Sequence, residues 1–167
     1  MTTMTKTTQS HEITIEATPQ AIWEAITRSE VAERYGYGSK VEYDLRPGGA
    51  YRVSATAAMV EYGMPEVMIE GEVVEAEEPR RLVQTWHALF DAEIAAEEPT
   101  RLTWEIEPGA NGATTVRIVH DLEGAPRTAP LVSGEVEKAG GGWPHVLRDM
   151  KALLETGESS ITAQTAS

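Results

Sequence analysis

The chain has 167 residues, 14 Lys plus Arg against 27 Asp plus Glu, a net charge of −13 at pH 7, and no Cys. That length supports one domain burying roughly 70% of its unfolded surface, and the absence of Cys excludes thiol catalysis, thiolate zinc sites and disulfide scaffolds. The negative balance repels polyanions, so neither nucleic acid nor an anionic membrane surface is an expected partner, and a cysteine-free chain fits a reducing, cytoplasmic setting.

Residues 1–8 are rich in Thr and lack an apolar run, which predicts a disordered tail, and the small polar residues 157–167 predict a second one. The domain is expected over 9–156. No stretch approaches the roughly 18 apolar residues of a membrane span. His11-Glu12-Ile13-Thr14-Ile15-Glu16 alternates as a half-covered strand does. Thr18-Pro19 supplies an N-cap and a proline at the first helical position, with Ile22, Trp23 and Ile26 following at helical spacing. Ser29 is expected to cap a second short turn that Gly36 and Gly38 end.

From Lys40 to Asp121 the pattern predicts strands over 41–45, 50–59, 67–76, 81–88, 101–107 and 114–121. The turns between them carry Arg46-Pro47-Gly48-Gly49, Glu77-Glu78-Pro79-Arg80, Glu98-Pro99 and Pro108-Gly109-Ala110-Asn111-Gly112. Short connections make an antiparallel meander of about seven strands, the first included. Thr128 to Glu155 has Val132, Val136, Trp143, Leu147, Met150 and Leu154 near helical spacing, a long amphipathic helix broken at Gly140-Gly141-Gly142 and Pro144. The expected class is α+β, a curved antiparallel sheet wrapped around a long C-terminal helix, with two short helices after the first strand.

Alternation puts Tyr51 and Val53, Ile69 and Val73, Leu82, Gln84 and Trp86, Leu102, Trp104 and Ile106, and Val116, Ile118 and His120 on the covered face. Arg52, Thr56, Glu70, Glu72, Thr85, Glu105 and Arg117 fall on the solvated one. Gln84 and His120 are polar on an otherwise apolar face, where each needs a partner. Together with Tyr51, Met59, Met68, Trp86, Trp104 and Trp143, and with Val53, Ile118 and Leu147 beside them, they have the composition of an apolar ligand pocket with few polar fixing points.

Ile15-Glu16-Ala17-Thr18-Pro19 to Trp23-Glu24-Ala25-Ile26-Thr27, Asp44-Leu45-Arg46-Pro47-Gly48-Gly49-Ala50-Tyr51 and Glu70-Gly71-Glu72-Val73-Val74-Glu75 are recognisable stretches. So are Pro79-Arg80-Arg81-Leu82-Val83-Gln84-Thr85-Trp86 and Gly141-Gly142-Trp143-Pro144-His145-Val146-Leu147. In this order, over about residues 11 to 156, the chain resembles the START-like, helix-grip (SRPBCC) superfamily. Within it the chain is similar to the family named after the activator of the ninety-kilodalton heat-shock-protein ATPase. The resemblance implies a helix-grip fold holding a hydrophobic molecule between sheet and long helix, and some members are cyclases, dehydratases or hydrolases. Where relatives often carry two consecutive Trp near the cavity mouth, this chain has Tyr35-Gly36, which implies a reshaped entrance. Chaperone-activating members carry a further domain for which 167 residues leave no room, so the resemblance implies no chaperone role.

His11, His87, His120 and His145 show no metal-site spacing, and His87 is expected to face outward. Ser39 and Ser133 lack the glycines of a nucleophile elbow, the Gly140–Gly142 run fits no phosphate loop, and Glu77, Glu78, Glu97 and Glu98 read as solvated turn residues. No metal and no cofactor are called for. The leading expectation is a carrier or sensor of a small hydrophobic molecule. The alternative is a cofactor-free enzyme on an aromatic or polyketide-like substrate, with His120 as general base and Gln84 or Tyr51 orienting a carbonyl. A third is a dimerisation module with a filled interior, and a homodimer is compatible with all three. The Gly140–Gly142 break is expected to be either a static kink or, with Trp143 packing over the ligand, a lid.

Overall fold

The computed structural model describes residues 8–36, 38–133 and 142–159. Seven strands form one antiparallel sheet: β1 (Thr8–Ile15), β2 (Lys40–Tyr43), β3 (Ala50–Ser54), β4 (Val67–Glu77), β5 (Arg81–Ala88), β6 (Thr100–Pro108) and β7 (Thr114–Asp121). Their spatial order is β1-β7-β6-β5-β4-β3-β2, so β2 to β7 run as a meander and β1 returns to pair with β7. Thr8 already pairs with Asp121, one residue before the expected domain start.

Between β1 and β2 lie helices α1 (Pro19–Thr27) and α2 (Ser29–Ala32). Thr18 caps α1 as expected, its hydroxyl accepting the Ala21 N–H at 3.1 Å. Ser29 does not cap α2: it lies inside the helix, donates to Glu33 Oε2 and accepts the Val41 N–H, tying α2 to β2. Gly36 and Gly38, at φ +65° and +71°, make the turn that follows. The tight connection between β6 and β7 has Asn111 and Gly112 at positive φ, as its residue types lead one to expect.

Two stretches differ from the expected pattern. The strand read over 50–59 ends at Ser54, because Thr56 accepts the Met59 N–H and starts helix α3 (Ala57–Glu61). Helix α4 (Ala92–Ala95) occupies the β5–β6 connection, capped by Asp91, which accepts the Glu93 and Ile94 N–H groups. Both caps are short polar side chains that compete well for free N–H groups, and a two-residue period does not reveal them.

The C-terminal region contains α5 (Thr128–Ser133) and α6 (Gly142–Thr156). Gly140 and Gly141 lie outside the described residues; Gly142 opens α6 at φ +61°. Leu147, Met150 and Leu153 of α6 join Ile15, Ile106, Val116 and Ile118 in the core, which places the helix across the inner face of the sheet. Ser159, expected in the tail, is buried and its hydroxyl donates to the Arg34 carbonyl. Among the described residues no helix is long and apolar enough to cross a membrane.

Candidate functional site

A cavity of about 600 Å³ lies between the β2–β5 half of the sheet, α2, α3, α5 and the first turns of α6. Its volume falls within the roughly 300–1,000 Å³ of small-molecule sites. Tyr51, Val53, Met59, Met68, Trp86, Trp104 and Trp143, expected as wall residues, all border it. Met68 is out of phase with Ile69, Gly71 and Val73, yet reaches the wall because the β3–β4 register jumps from Val53↔Ile69 to Ser54↔Val67 and leaves Met68 as the extra residue of a bulge.

Four expected residues do not border the void: Ile118 and Leu147 are core, and Gln84 and His120 are fully buried without lining it. Wall residues outside the expected set include Val41, Tyr43, Met64, Phe90 and Leu131, and Tyr35 of the expected entrance borders the void too. Val41 and Tyr43 share a strand face and were legible in the alternation of β2. Phe90 and Leu131 come from segments whose position depends on α4 and α5, for which the sequence reading supplied no site.

His120 sits in a chain of hydrogen bonds with a fixed direction. The Trp143 indole can only donate, so at 3.0 Å its N–H points at His120 Nδ1, which accepts. The proton of His120 is then on Nε2 and goes to Thr100 Oγ1 at 2.7 Å, while the Thr100 hydroxyl donates to the Trp86 carbonyl at 2.8 Å. His120 is therefore neutral, with no free lone pair in this arrangement. Burial, with His11 nearby, pushes its pKa down to about 3. Trp143 is also packed edge-on against Trp86 and Trp104, at centroid separations of 6.0 and 5.7 Å, so His120 anchors one aromatic wall of the cavity.

The wall also holds Tyr43 and Tyr51, with ring centroids 4.6 Å apart. The Tyr43 hydroxyl donates to Gln84 Oε1 at 2.6 Å, whereas Gln84 Nε2 and Trp104 Nε1 are buried without a hydrogen-bond partner. Burial raises the pKa of Tyr35, Tyr43 and Tyr51, so these wall phenols stay protonated at neutral pH. On the same wall, the Tyr35 hydroxyl donates to the Ala25 carbonyl and the Gly36 N–H to Asp149 on α6, at 2.8 and 2.7 Å. The two positions that depart from the common pattern thus fasten this loop to α1 and α6.

Elsewhere, His87 is half-buried beneath α4, its Nε2 2.9 Å from the Ala95 carbonyl, and does not project freely outward. Glu97 is not merely solvated: Oε2 accepts the Arg127 N–H at 2.7 Å, and Oε1 accepts the N–H and hydroxyl of Thr128, at 3.0 and 2.7 Å. It caps α5 from the β5–β6 connection. Among the described residues no cluster of three or more His, Asp or Glu is placed to hold a metal ion.

The fold has counterparts among solved structures. PFC0360w of Plasmodium falciparum, described as an HSP90 activator, superposes with a TM-score of 0.62 at 17% identity, covering 89% of this chain and 96% of that one. DynU16, from the dynemicin biosynthetic locus, gives 0.67 at 21% identity over 93% of this chain and 49% of that one. The Aha1 dimer of Colwellia psychrerythraea gives 0.63 at 16% identity over 91% and 98%. None of the curated proteins matches in sequence. A family model, Activator of Hsp90 ATPase homolog 1-like protein, matches residues 16–155. With that match running from the end of β1 through strands β2 to β7 and nearly all of α6, the chain belongs to the family of proteins like the activator of Hsp90 ATPase homolog 1.

Proposed function

We propose that the protein binds a small hydrophobic or aromatic molecule in the cavity between the sheet and α6, as a carrier or sensor. The observation that carries this reading is an unfilled interior of about 600 Å³ bordered by Trp86, Trp104, Trp143, Phe90 and methionines. Burying an apolar ligand there releases its hydration water, at about 25 cal/mol per Å² of apolar surface. A module serving only dimerisation has no use for such a void. Binding ranks ahead of cofactor-free catalysis because the expected base, His120, has both nitrogens engaged, and Trp143 would have to leave before Nδ1 could accept a substrate proton.

The test is uptake of a neutral fluorophore, N-phenyl-1-naphthylamine, by the wild type and by Met68→Trp, which puts an indole into the void. Saturable enhancement in the wild type and its loss in a folded variant support the reading. Equal enhancement in both overturns it. The dimer of the Colwellia relative supports a homodimer as the unit that binds, and sedimentation at twice the monomer mass, 18.2 kDa, checks this.

A further inference from the structure

The cavity wall is rich in hydrogen-bond donors and poor in acceptors. Several donors are already committed within the protein: Tyr35 to the Ala25 carbonyl, Tyr43 to Gln84 Oε1, and Trp143 to His120 Nδ1. The Ser39 hydroxyl points at the Met59 sulfur, 3.9 Å away. That leaves the Tyr51 hydroxyl and the indole N–H groups of Trp86 and Trp104 on the wall, with the Gln84 amide behind it. Gln84 Nε2 and Trp104 Nε1 have no partner at all.

Gln84 decides which way this group faces. Its carbonyl oxygen accepts from the Tyr43 hydroxyl, so its amide hydrogens are left unpartnered close to Tyr51, beside which the Trp86 indole also lies. A phenol whose oxygen is approached by donors has its own proton free for an acceptor. Among the described residues bordering the void there is no carboxylate and no His to supply one.

Taking the cavity as a ligand site, we propose that its occupant is an apolar molecule carrying an acceptor oxygen without a proton of its own, a ketone or quinone carbonyl, and that this oxygen receives the Tyr51 O–H. An alcohol or phenol would bring another donor to a wall already short of acceptors. A carboxylate would be stripped of water with no cation on the wall to meet it. A carbonyl on an aromatic or alicyclic frame satisfies both the donors and the hydrocarbon surface around them.

An isosteric series tests this: 1-tetralone, 1-tetralol and tetralin, each competing with N-phenyl-1-naphthylamine. The wild type should bind tetralone about threefold to tenfold more tightly than the other two, the gain of one buried hydrogen bond. Tyr51→Phe should keep its affinity for tetralin and lose the preference for tetralone. Equal ranking in both proteins, or a preference for tetralol, overturns the proposal while leaving the cavity a binding site. Failure of all three to displace the fluorophore overturns the carbonyl proposal alone, and absence of any saturable fluorophore uptake by the wild type overturns the cavity reading with it. The carbonyl stretch of bound tetralone supplies a second readout that needs no variant: it should lie below its value in hexane, and an unshifted band contradicts the Tyr51 hydrogen bond.

Discussion

The chain from Trp143 through His120 and Thr100 to the Trp86 carbonyl joins α6, β7, β6 and β5 through side chains with one proton placement. Folding holds this imidazole neutral, with a pKa near 3 against an ordinary 6.5, so only the unfolded chain takes up its proton in between. The sign follows: the contribution is complete above about pH 6.5 and is lost as pH falls towards 3, at up to about 1.4 kcal/mol per pH unit. In urea titrations between pH 6 and 4 the wild type should therefore lose stability more steeply than His120→Gln, and parallel curves would count against a buried neutral imidazole. Thr100→Val, which leaves the His120 Nε2–H without an acceptor, should cost about 1–3 kcal/mol in the same measurement at pH 7. The inward placement of Gln84 and His120 was readable from alternation in β5 and β7. Their partners were not: Tyr43 is 41 residues from Gln84, and Trp143 is 23 from His120, and no local period carries such a pairing.

At the scale of elements, the cavity exists because the sheet bends away from its regular register on one side and helices close the other. Gly71 lies opposite Tyr51 in the β3–β4 pair, and an added Cβ would fall 2.0 Å from the Thr85 carbonyl oxygen and 3.1 Å from the Tyr51 ring. Gly71→Ala should destabilise by about 1–3 kcal/mol, read from the urea midpoint at an unchanged slope, because the backbone of β5 cannot give way as a side-chain tip could. The short helix α5 depends on Glu97 for its free N–H groups, and it carries Leu131 and Val132 to the cavity wall. Glu97→Ala should cost about 0.5–2 kcal/mol, the range for loss of an N-cap, and should weaken fluorophore binding as well. Unaltered binding with lowered stability would separate α5 from the site. Sequence alternation located the strands well, since each has one covered face. It passed over α3 and α4, whose four or five residues are too few to show a helical period and whose caps, Thr56 and Asp91, also suit turns.

For the whole molecule, one face of a seven-stranded sheet is covered by α6 at the β1–β7 end and left lining a void at the β2–β5 end. The long helix and the order of strands were visible in periodicity and turn chemistry. The size of the void was not, because it depends on how α3, α5 and the Tyr35-Gly36 loop stand off the sheet. The four Trp residues offer the most direct check, since Trp86, Trp104 and Trp143 border the cavity while Trp23, buried on α1, does not. Tetralin titrated into protein labelled with ¹⁵N at the indole nitrogens should shift the resonances of the three wall residues saturably and leave Trp23 in place. Unmoved indole resonances throughout, or a Trp23 shift as large as the others, would contradict a ligand site between the sheet and α6.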